Sequence, residues 1–308
     1  MSTGYQPSRQ WDRISREWLE EAEIDLATFK SGRPNHKISL WNPETNGVRF
    51  LKTLVYNLCT TLTPRDWERL GATRNRDYGD PIQVRHEGRH VCMDYLQATL
   101  EAGFLEDRVD LRGGRVMEIG AGYGRTCHLL LSNYDIASYH IVDLRSTLRL
   151  SREYLRTVLD RERYDKITFV EIGDVDAVAG PLRIDLCLNI DSFAEMNPET
   201  VRGYLSLIDR GSAWFYVKNP VGKYLDSSLD GHAEGAEAVR HAMETGLMQQ
   251  VLDVHDSEAV RAAAPAFVAA YRPGAGWRDV ANAWAPPWSF YWQALYRNEG
   301  VTPRGGRP

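Results

Sequence analysis

Glu118, Gly120, Gly122, Gly124 and Asp143 are the residues of this chain whose types and spacing are most able to do chemistry. The first four stand in Arg-Val-Met-Glu-Ile-Gly-Ala-Gly-Tyr-Gly at 115–124. The fifth ends Tyr-His-Ile-Val-Asp at 139–143, nineteen residues after Gly124. A short apolar run ends in an acid, glycines follow at once, and an apolar helix begins near Arg125. Strand, glycine turn and helix N-terminus make a pocket where backbone can approach a nucleotide-like ligand. An acid at the next strand end can take two ribose hydroxyls. The spacing differs from the dinucleotide pattern Gly-x-Gly-x-x-Gly, because the third glycine comes one residue early. An acid at 118 facing the pocket would repel phosphate and suit an ammonium or sulfonium group. S-adenosylmethionine carries adenosine, an ammonium and a sulfonium, and no phosphate, so it is the cofactor expected. The alternative is a tight strand-to-helix turn that binds nothing.

The elements that must position these residues follow from periodicity. From 115 onward apolar strand candidates (115–119, 139–143, 167–171, 184–190 and 213–217) alternate with helical stretches at 124–133, 146–160 and 198–209. Strands separated by helices imply a parallel sheet with right-handed crossovers. Trp288 to Tyr296 reads as a further strand, with 248–254 or 277–283 as its partner, giving an antiparallel pair at one edge. Residues 1–110 read as helical. Trp11, Ile14, Trp18, Leu19 and Ala22 recur at helical spacing, as do Phe50, Leu51, Leu54, Val55, Leu58 and Leu62 before Pro64. These stripes suit core packing, dimer contacts or a lid. A third helix is expected from Val91 to Gly103, and the polar segment Arg74 to Arg89 as a loop able to cross the pocket. The expected division is a helical cap at 1–110, a catalytic domain at 111–299 and a disordered tail at 300–308.

Bulk properties narrow the partners. The 308 residues are 43% hydrophobic and 26% charged, as in an ordinary globular protein. A net charge of −5 disfavours nucleic acid. No apolar run reaches about 18 residues, so no membrane span is expected, and the N-terminus lacks a signal-peptide pattern. Cys59, Cys92, Cys127 and Cys187 are scattered, which argues against zinc and against a disulfide framework. A cytoplasmic location, a small-molecule substrate and a homodimer through the N-terminal helices are the expectations.

Four phrases in order carry a family resemblance. They are Glu-Ile-Gly-Ala-Gly-Tyr-Gly (118–124), His-Ile-Val-Asp-Leu (140–144), Asn-Ile-Asp-Ser-Phe-Ala-Glu-Met (189–196) and Val-Lys-Asn-Pro-Val-Gly-Lys-Tyr (217–224). The chain resembles class I S-adenosylmethionine-dependent methyltransferases, and among them the sugar O-methyltransferases of bacterial natural-product clusters. The resemblance implies a Rossmann-like α/β sheet of five parallel strands plus an antiparallel edge pair, under a helical N-terminal lid region. It also implies methylation of a hydroxyl on a sugar or other small acceptor. Some such proteins are similar to azetidine-2-carboxylate synthases, which cyclise the aminobutyryl arm of S-adenosylmethionine and release methylthioadenosine.

Roles can then be set against residues. Glu118, Gly120, Gly122 and Gly124 would floor the methionine part of the cofactor, with Tyr123 beside them. Asp143 would accept from the ribose. Asp174 would face the adenine amino group, or cap a helix. Arg125, on one helix face with His128, would hold the cofactor carboxylate, or be a surface arginine. Asn189, Asp191, Ser192 and Glu195 follow the fourth strand, at the reacting end of such a sheet. Asp191 or Glu195 would take a proton from a hydroxyl or orient an amine; otherwise Asp191 caps the next turn and Glu195 is solvated. His86 and His90 are further candidate bases, with no carboxylate pattern to complete a metal site, so no metal is expected. Lys218, Asn219 and Tyr224 would line the substrate side. Cyclisation would need an aromatic wall near the sulfonium, for which Tyr123, Tyr78 and Tyr95 are candidates.

Overall fold

The structure is a computed structural model that describes residues 42–179, 182–230 and 235–301, with Ser8, Arg9, Arg13 and Arg16 besides. The helix expected around Trp11 and most of the expected tail lie outside the described residues. Helices α1 (Pro43–Cys59) and α2 (Pro64–Ala72) each begin on a proline behind a capping side chain. Asn42 accepts from the Glu44 amide, and Thr63 and Asp66 form a reciprocal capping box.

The segment expected to be a loop over the pocket is folded otherwise. Its second half is a hairpin of β1 (Gln83–His86) and β2 (Arg89–Cys92). The hairpin turns at Glu87 and Gly88, with φ of +48° and +79°. Two positive φ values in a two-residue turn match the twist of paired strands. Val84 and Val91 join the core, so a strand pair was hidden under polar neighbours. Helix α3 (Met93–Glu106) follows directly.

Strand and helix then alternate: β3 (Arg115–Ile119), α4 (Arg125–Asn133), β4 (Ser138–Asp143), α5 (Arg145–Val158), the short α6 (Arg161–Tyr164), β5 (Ile167–Glu171), α7 (Val175–Ala179), β6 (Ile184–Ile190), α8 (Pro198–Gly211) and β7 (Ser212–Pro220). Single 3-10 turns at Ile172–Asp174 and Ser192–Ala194 follow β5 and β6. After α9 (Ser227–Asp230), α10 (Ala236–Met243) and α11 (Ser257–Ala270), β8 (Trp277–Trp284) and β9 (Tyr291–Asn298) close the sheet. The sheet order is β5-β4-β3-β6-β7-β9-β8. The first five strands are parallel, and β9 runs antiparallel to both β7 and β8. This is the sheet the resemblance implies. The partner of the last strand is the 277 segment; around 251 there is a single bridge, Val251 to Lys223.

The core lies on both faces of the sheet. Val116, Tyr139, Ile141, Leu186 and Leu188 pack under the α1 to α5 side, against residues such as Leu96, Leu130 and Leu155. Met117, Ile119, Val142, Cys187 and Phe215 pack on the opposite side, against Val201 and Ile208 of α8 and Val260 and Phe267 of α11. Successive side chains of a strand point to opposite faces, so strands covered on both sides read as near-continuous apolar runs. The chain crosses from one side of β3 to the other between β5 and β6. The crevice of an open parallel sheet lies at such a crossing, beyond the strands' carboxyl ends.

Candidate active site

A cavity of about 700 Å³ opens at the carboxyl ends of the parallel strands. That is within the range of about 300–1,000 Å³ usual for small-molecule clefts. Gly120, Ala121, Gly122, Tyr123 and Arg125 line it after β3, and Asp143, Leu144 and Thr147 after β4. Ile172 lines it after β5, and Ile190, Asp191, Ser192, Glu195 and Met196 after β6. Lys218 of β7, Gln97 of α3 and Trp288 and Tyr291 before and at the start of β9 close the far side.

The near end is made mostly by backbone. Gly120 has φ of +74°, and a Cβ there would lie 2.0 Å from the Ser192 hydroxyl oxygen. No other residue fits that position, because both the conformation and the space exclude a side chain. At Gly122, by contrast, a Cβ would meet nothing within 4 Å, so the loop is open towards the cavity. The Gly122 amide donates to Asp143 Oδ2 at 3.0 Å and the Leu144 amide to Oδ1 at 2.7 Å. The carboxylate at the end of β4 is thereby tied to the glycine loop.

Beneath the floor lies a buried charge cluster. Arg125 donates from Nη1 to the Asp94 carbonyl at 2.9 Å and from Nη2 to both Glu101 oxygens at 3.2 Å. Lys218 Nζ donates to Glu101 Oε1 at 2.8 Å and to Gln97 Oε1 at 3.3 Å. Burial works against a charged Glu101, but the Arg125 and Lys218 charges outweigh it and hold its carboxyl below the ordinary value. Burial pulls the Lys218 ammonium down. Two cations thus share one carboxylate at the cavity wall.

The far end is made by side chains. Asp191 has an unusual positive-φ backbone, φ +70° and ψ −42°. Its amide donates to the Lys218 carbonyl at 2.8 Å, and its Oδ1 accepts from the Tyr291 hydroxyl at 2.6 Å. Burial and the Asp191 charge raise the Tyr291 phenol, so it stays protonated and is the donor. Trp288 Nε1 donates to Gln97 Oε1 at 3.2 Å. Burial, and then the Asp191 charge, raise the Glu195 carboxyl above its usual value.

Of the residues singled out from the sequence, Gly120, Gly122, Tyr123, Arg125, Asp143, Asp191, Ser192, Glu195 and Lys218 meet at this cavity. Others do not line it. Glu118 points to the opposite side of its strand from the expectation, because it shares a face with Val116 under the helices. It is 2% exposed and accepts from the Tyr139 hydroxyl at 2.6 Å. Burial pushes its carboxyl up to about 7 against the pull of Tyr139 and Arg125. Gly124 packs on α5, where a Cβ would lie 2.7 Å from Leu155. Asn189 is fully buried and satisfied: it donates to the Ile119 carbonyl at 3.0 Å and to Ser192 Oγ at 2.7 Å, and it accepts from Asn219 at 2.8 Å. It ties the ends of β3, β6 and β7 together, which places it under the site rather than in it. Asp174 is exposed, and Ile172 of the same turn lines the cavity instead. His86 stacks on Trp67 at 5.7 Å, held in the hairpin away from the cavity, and His90 is exposed in the same hairpin. Tyr78 is 59% exposed, and Tyr95 bonds His128 and Tyr154 in the core. Tyr224 packs on Phe290.

Sequence reasoning missed Gln97, Leu144, Thr147, Ile172, Thr200, Tyr204, Trp288 and Tyr291 as lining residues. The available signal for the last two was an aromatic cluster, Trp-Ala-Pro-Pro-Trp-Ser-Phe-Tyr at 284–291, too rich for a plain hairpin loop.

No family model and no curated protein matches the chain. Among solved structures it is similar to the methyltransferase domain of bacterial CtHen1, at 12% identity and TM-score 0.49, over 67% of this chain and 100% of that one. It is similar to the mitomycin 7-O-methyltransferase MmcR at 13% identity and TM-score 0.44, over 92% and 79%. It is also similar to the N-terminal domain of EvdMO1, solved with S-adenosylhomocysteine and D-fucose, at 18% and 0.40, over 77% and 98%. These likenesses are weak, and the fold stands on the sheet order itself. Among the described residues, no helix is long and apolar enough to cross a membrane.

Proposed function

We propose that this protein transfers the methyl group of S-adenosylmethionine to a hydroxyl of a small acceptor, a sugar or another natural-product scaffold. The observation that carries the reading is one cavity lined by Asp143, tied to the glycine loop, and by Asp191, held by Tyr291, with Glu195 beside it. The near end fits the cofactor. The open face at Gly122 leaves room for a close-lying ligand, Asp143 suits the ribose hydroxyls, and Leu144 and Ile172 offer apolar surface to the adenine. Arg125, and the share of positive charge it contributes beside Glu101, suits the methionine carboxylate.

When bound, the cofactor supplies an electrophilic methyl carbon on a sulfonium. The residues of the chain do the rest. The loop and Asp143 fix the near partner, while Trp288, Tyr291, Gln97 and Lys218 wall off the acceptor side and limit water. Holding two reactants in line supplies several kcal/mol of the barrier. Asp191 Oδ1 is taken by Tyr291, so Oδ2 receives the proton of the acceptor hydroxyl. A positioned base is worth about 10²–10⁴-fold. Aromatic faces beside the Asp191 and Glu195 carboxylates suit a polyhydroxylated ring, with its apolar face on Trp288 or Tyr291 and its hydroxyls on the acids. In this reading residues 1–110 serve as a cap that reaches the site through Gln97 of α3, and 111–299 form the catalytic domain.

The leaving group tests the reading. Purified protein is incubated with S-adenosylmethionine, with and without a panel of hydroxylated acceptors, and the nucleoside released is identified by mass spectrometry against a no-enzyme blank. S-adenosylhomocysteine formed only with an acceptor is expected. Acceptor-free release of methylthioadenosine with a four-membered cyclic amino acid would replace methyl transfer by cyclisation.

A further inference from the structure

Tyr291 stands one hundred residues after Asp191 and belongs to a part of the sheet that follows the five parallel strands. Nothing in the spacing of the two residues links them, yet their side chains meet at 2.6 Å on the cavity wall. Asp191 is also among the few non-glycine residues of the described chain with positive φ. An L residue in that conformation is strained and persists only where its surroundings over-determine it. Two contacts do so. The first, Asp191 amide to Lys218 carbonyl, comes from the parallel register of β6 and β7, where Ile190 pairs with Lys218. Any side chain at 191 could make it. The second, the Tyr291 hydroxyl, acts on the carboxylate itself.

Tyr291 is built to hold still. Its Cα is paired with Pro220 of β7, which fixes its height along the sheet. Its ring lies 5.0 Å from that of Phe290 and 5.9 Å from the Lys218 ammonium. A phenol kept protonated can only donate to a carboxylate.

We propose that Tyr291 is a positioning residue for Asp191: its hydroxyl clamps Oδ1, helps hold the residue in its positive-φ conformation and leaves Oδ2 as the atom that takes the substrate's proton. This rests on the reading of Asp191 as the proton acceptor. It holds whether the proton comes from an acceptor hydroxyl or from the cofactor's own amine. It also assigns the β8–β9 connection a part in the chemistry and not only in walling the cavity.

The test is Tyr291→Phe, which keeps the ring and its packing. By calorimetry, S-adenosylhomocysteine should bind within about twofold of the parent. Turnover at saturating S-adenosylmethionine, read as nucleoside release, should fall about tenfold or more, the usual weight of a hydrogen bond to a charged group. In an Asp191→Asn background the same change should cost less than about twofold, because no proton acceptor is left there to position. A merely structural tyrosine would give equal losses in both backgrounds, and that result overturns the proposal. A second readout needs no turnover: in a crystal structure of Tyr291→Phe with S-adenosylhomocysteine, Asp191 should leave its positive-φ conformation or swing its carboxylate. An Asp191 that stays in place without the phenol overturns the clamp. Failure to bind S-adenosylhomocysteine would instead strike the cofactor reading, and the structure of the variant would still decide on the clamp.

Discussion

The two ends of the cavity are built in opposite ways. The near end is one stretch of chain, 120 to 125, folded over a strand end and tied to Asp143 by backbone amides. The far end is assembled from Gln97, Asp191, Lys218, Trp288 and Tyr291, which come from four separate segments and meet only through the sheet. The first kind of wall depends on what the backbone can adopt. The second depends on where strands and helices are packed. Substitutions at the near end are therefore expected to change cofactor affinity, and those at the far end to change turnover or stability.

The largest effect is expected where the far wall joins the buried charges. Lys218→Met leaves Glu101 with Arg125 alone in a site that is almost wholly buried. Breaking one partner out of a buried ion cluster costs about 3–5 kcal/mol. Urea unfolding should show that loss, and a loss below about 1 kcal/mol would mean that the far wall is not held by this cluster.

Glu118, beneath the sheet's helices and outside both walls, is a second buried charge with a pH signature. Glu118 is pushed up to about 7 from 4.5 chiefly by burial. A carboxyl that binds its proton more tightly when folded stabilises fully below about pH 4.5. That contribution is lost as pH rises through about 7. The whole shift corresponds to about 3 kcal/mol. Urea midpoints at pH 5 and pH 8 should differ more for the parent than for Glu118→Gln. Equal pH dependence in both would show that the group is not buried in this way.

Asp191→Asn keeps the shape and removes the basic charge. Turnover should fall about 10²-fold, with S-adenosylhomocysteine affinity little changed, as for a group that acts mainly in the transition state. Altered affinity without altered turnover would exchange the roles of the two ends. The smallest effect is expected at Asp143→Ala, which removes the proposed ribose acceptor and unties Gly122. Loss of a hydrogen bond to a charged group costs about 1.5–3 kcal/mol, so affinity by calorimetric titration should drop at least tenfold. Unchanged affinity in a folded variant would remove Asp143 from the site.

The contrast between the ends also explains what could be read beforehand. The near end was legible because its signal is local: positive φ demands glycine, and the acid of β4 follows at a spacing set by one helix and one strand. Glu118 was misplaced because a motif gives the identity of a strand residue but not the face it points to. The parity of β3 set that, and it put Glu118 with Val116 beneath α3 and α4. Asn189 looked chemical because it is polar and follows an apolar strand. Its hydrogen bonds to Ile119, Ser192 and Asn219 exist only once three strand ends are side by side. His86 looked like a base on a loop, but a two-residue turn at Glu87-Gly88 folded it back onto Trp67.

By itself the sequence determined the alternation of strands and helices, the glycine turn and the acid that closes it, because each depends on interactions within a few residues or on a period of two or 3.6. Only the tertiary structure decided that β9 inserts between β7 and β8, which carries Tyr291 to Asp191. It also decided that α3 lies over the sheet with Gln97 and Glu101 facing Lys218. Pairings over about a hundred residues leave no periodic trace in the chain. They are set by which strand edges meet and which faces must be buried.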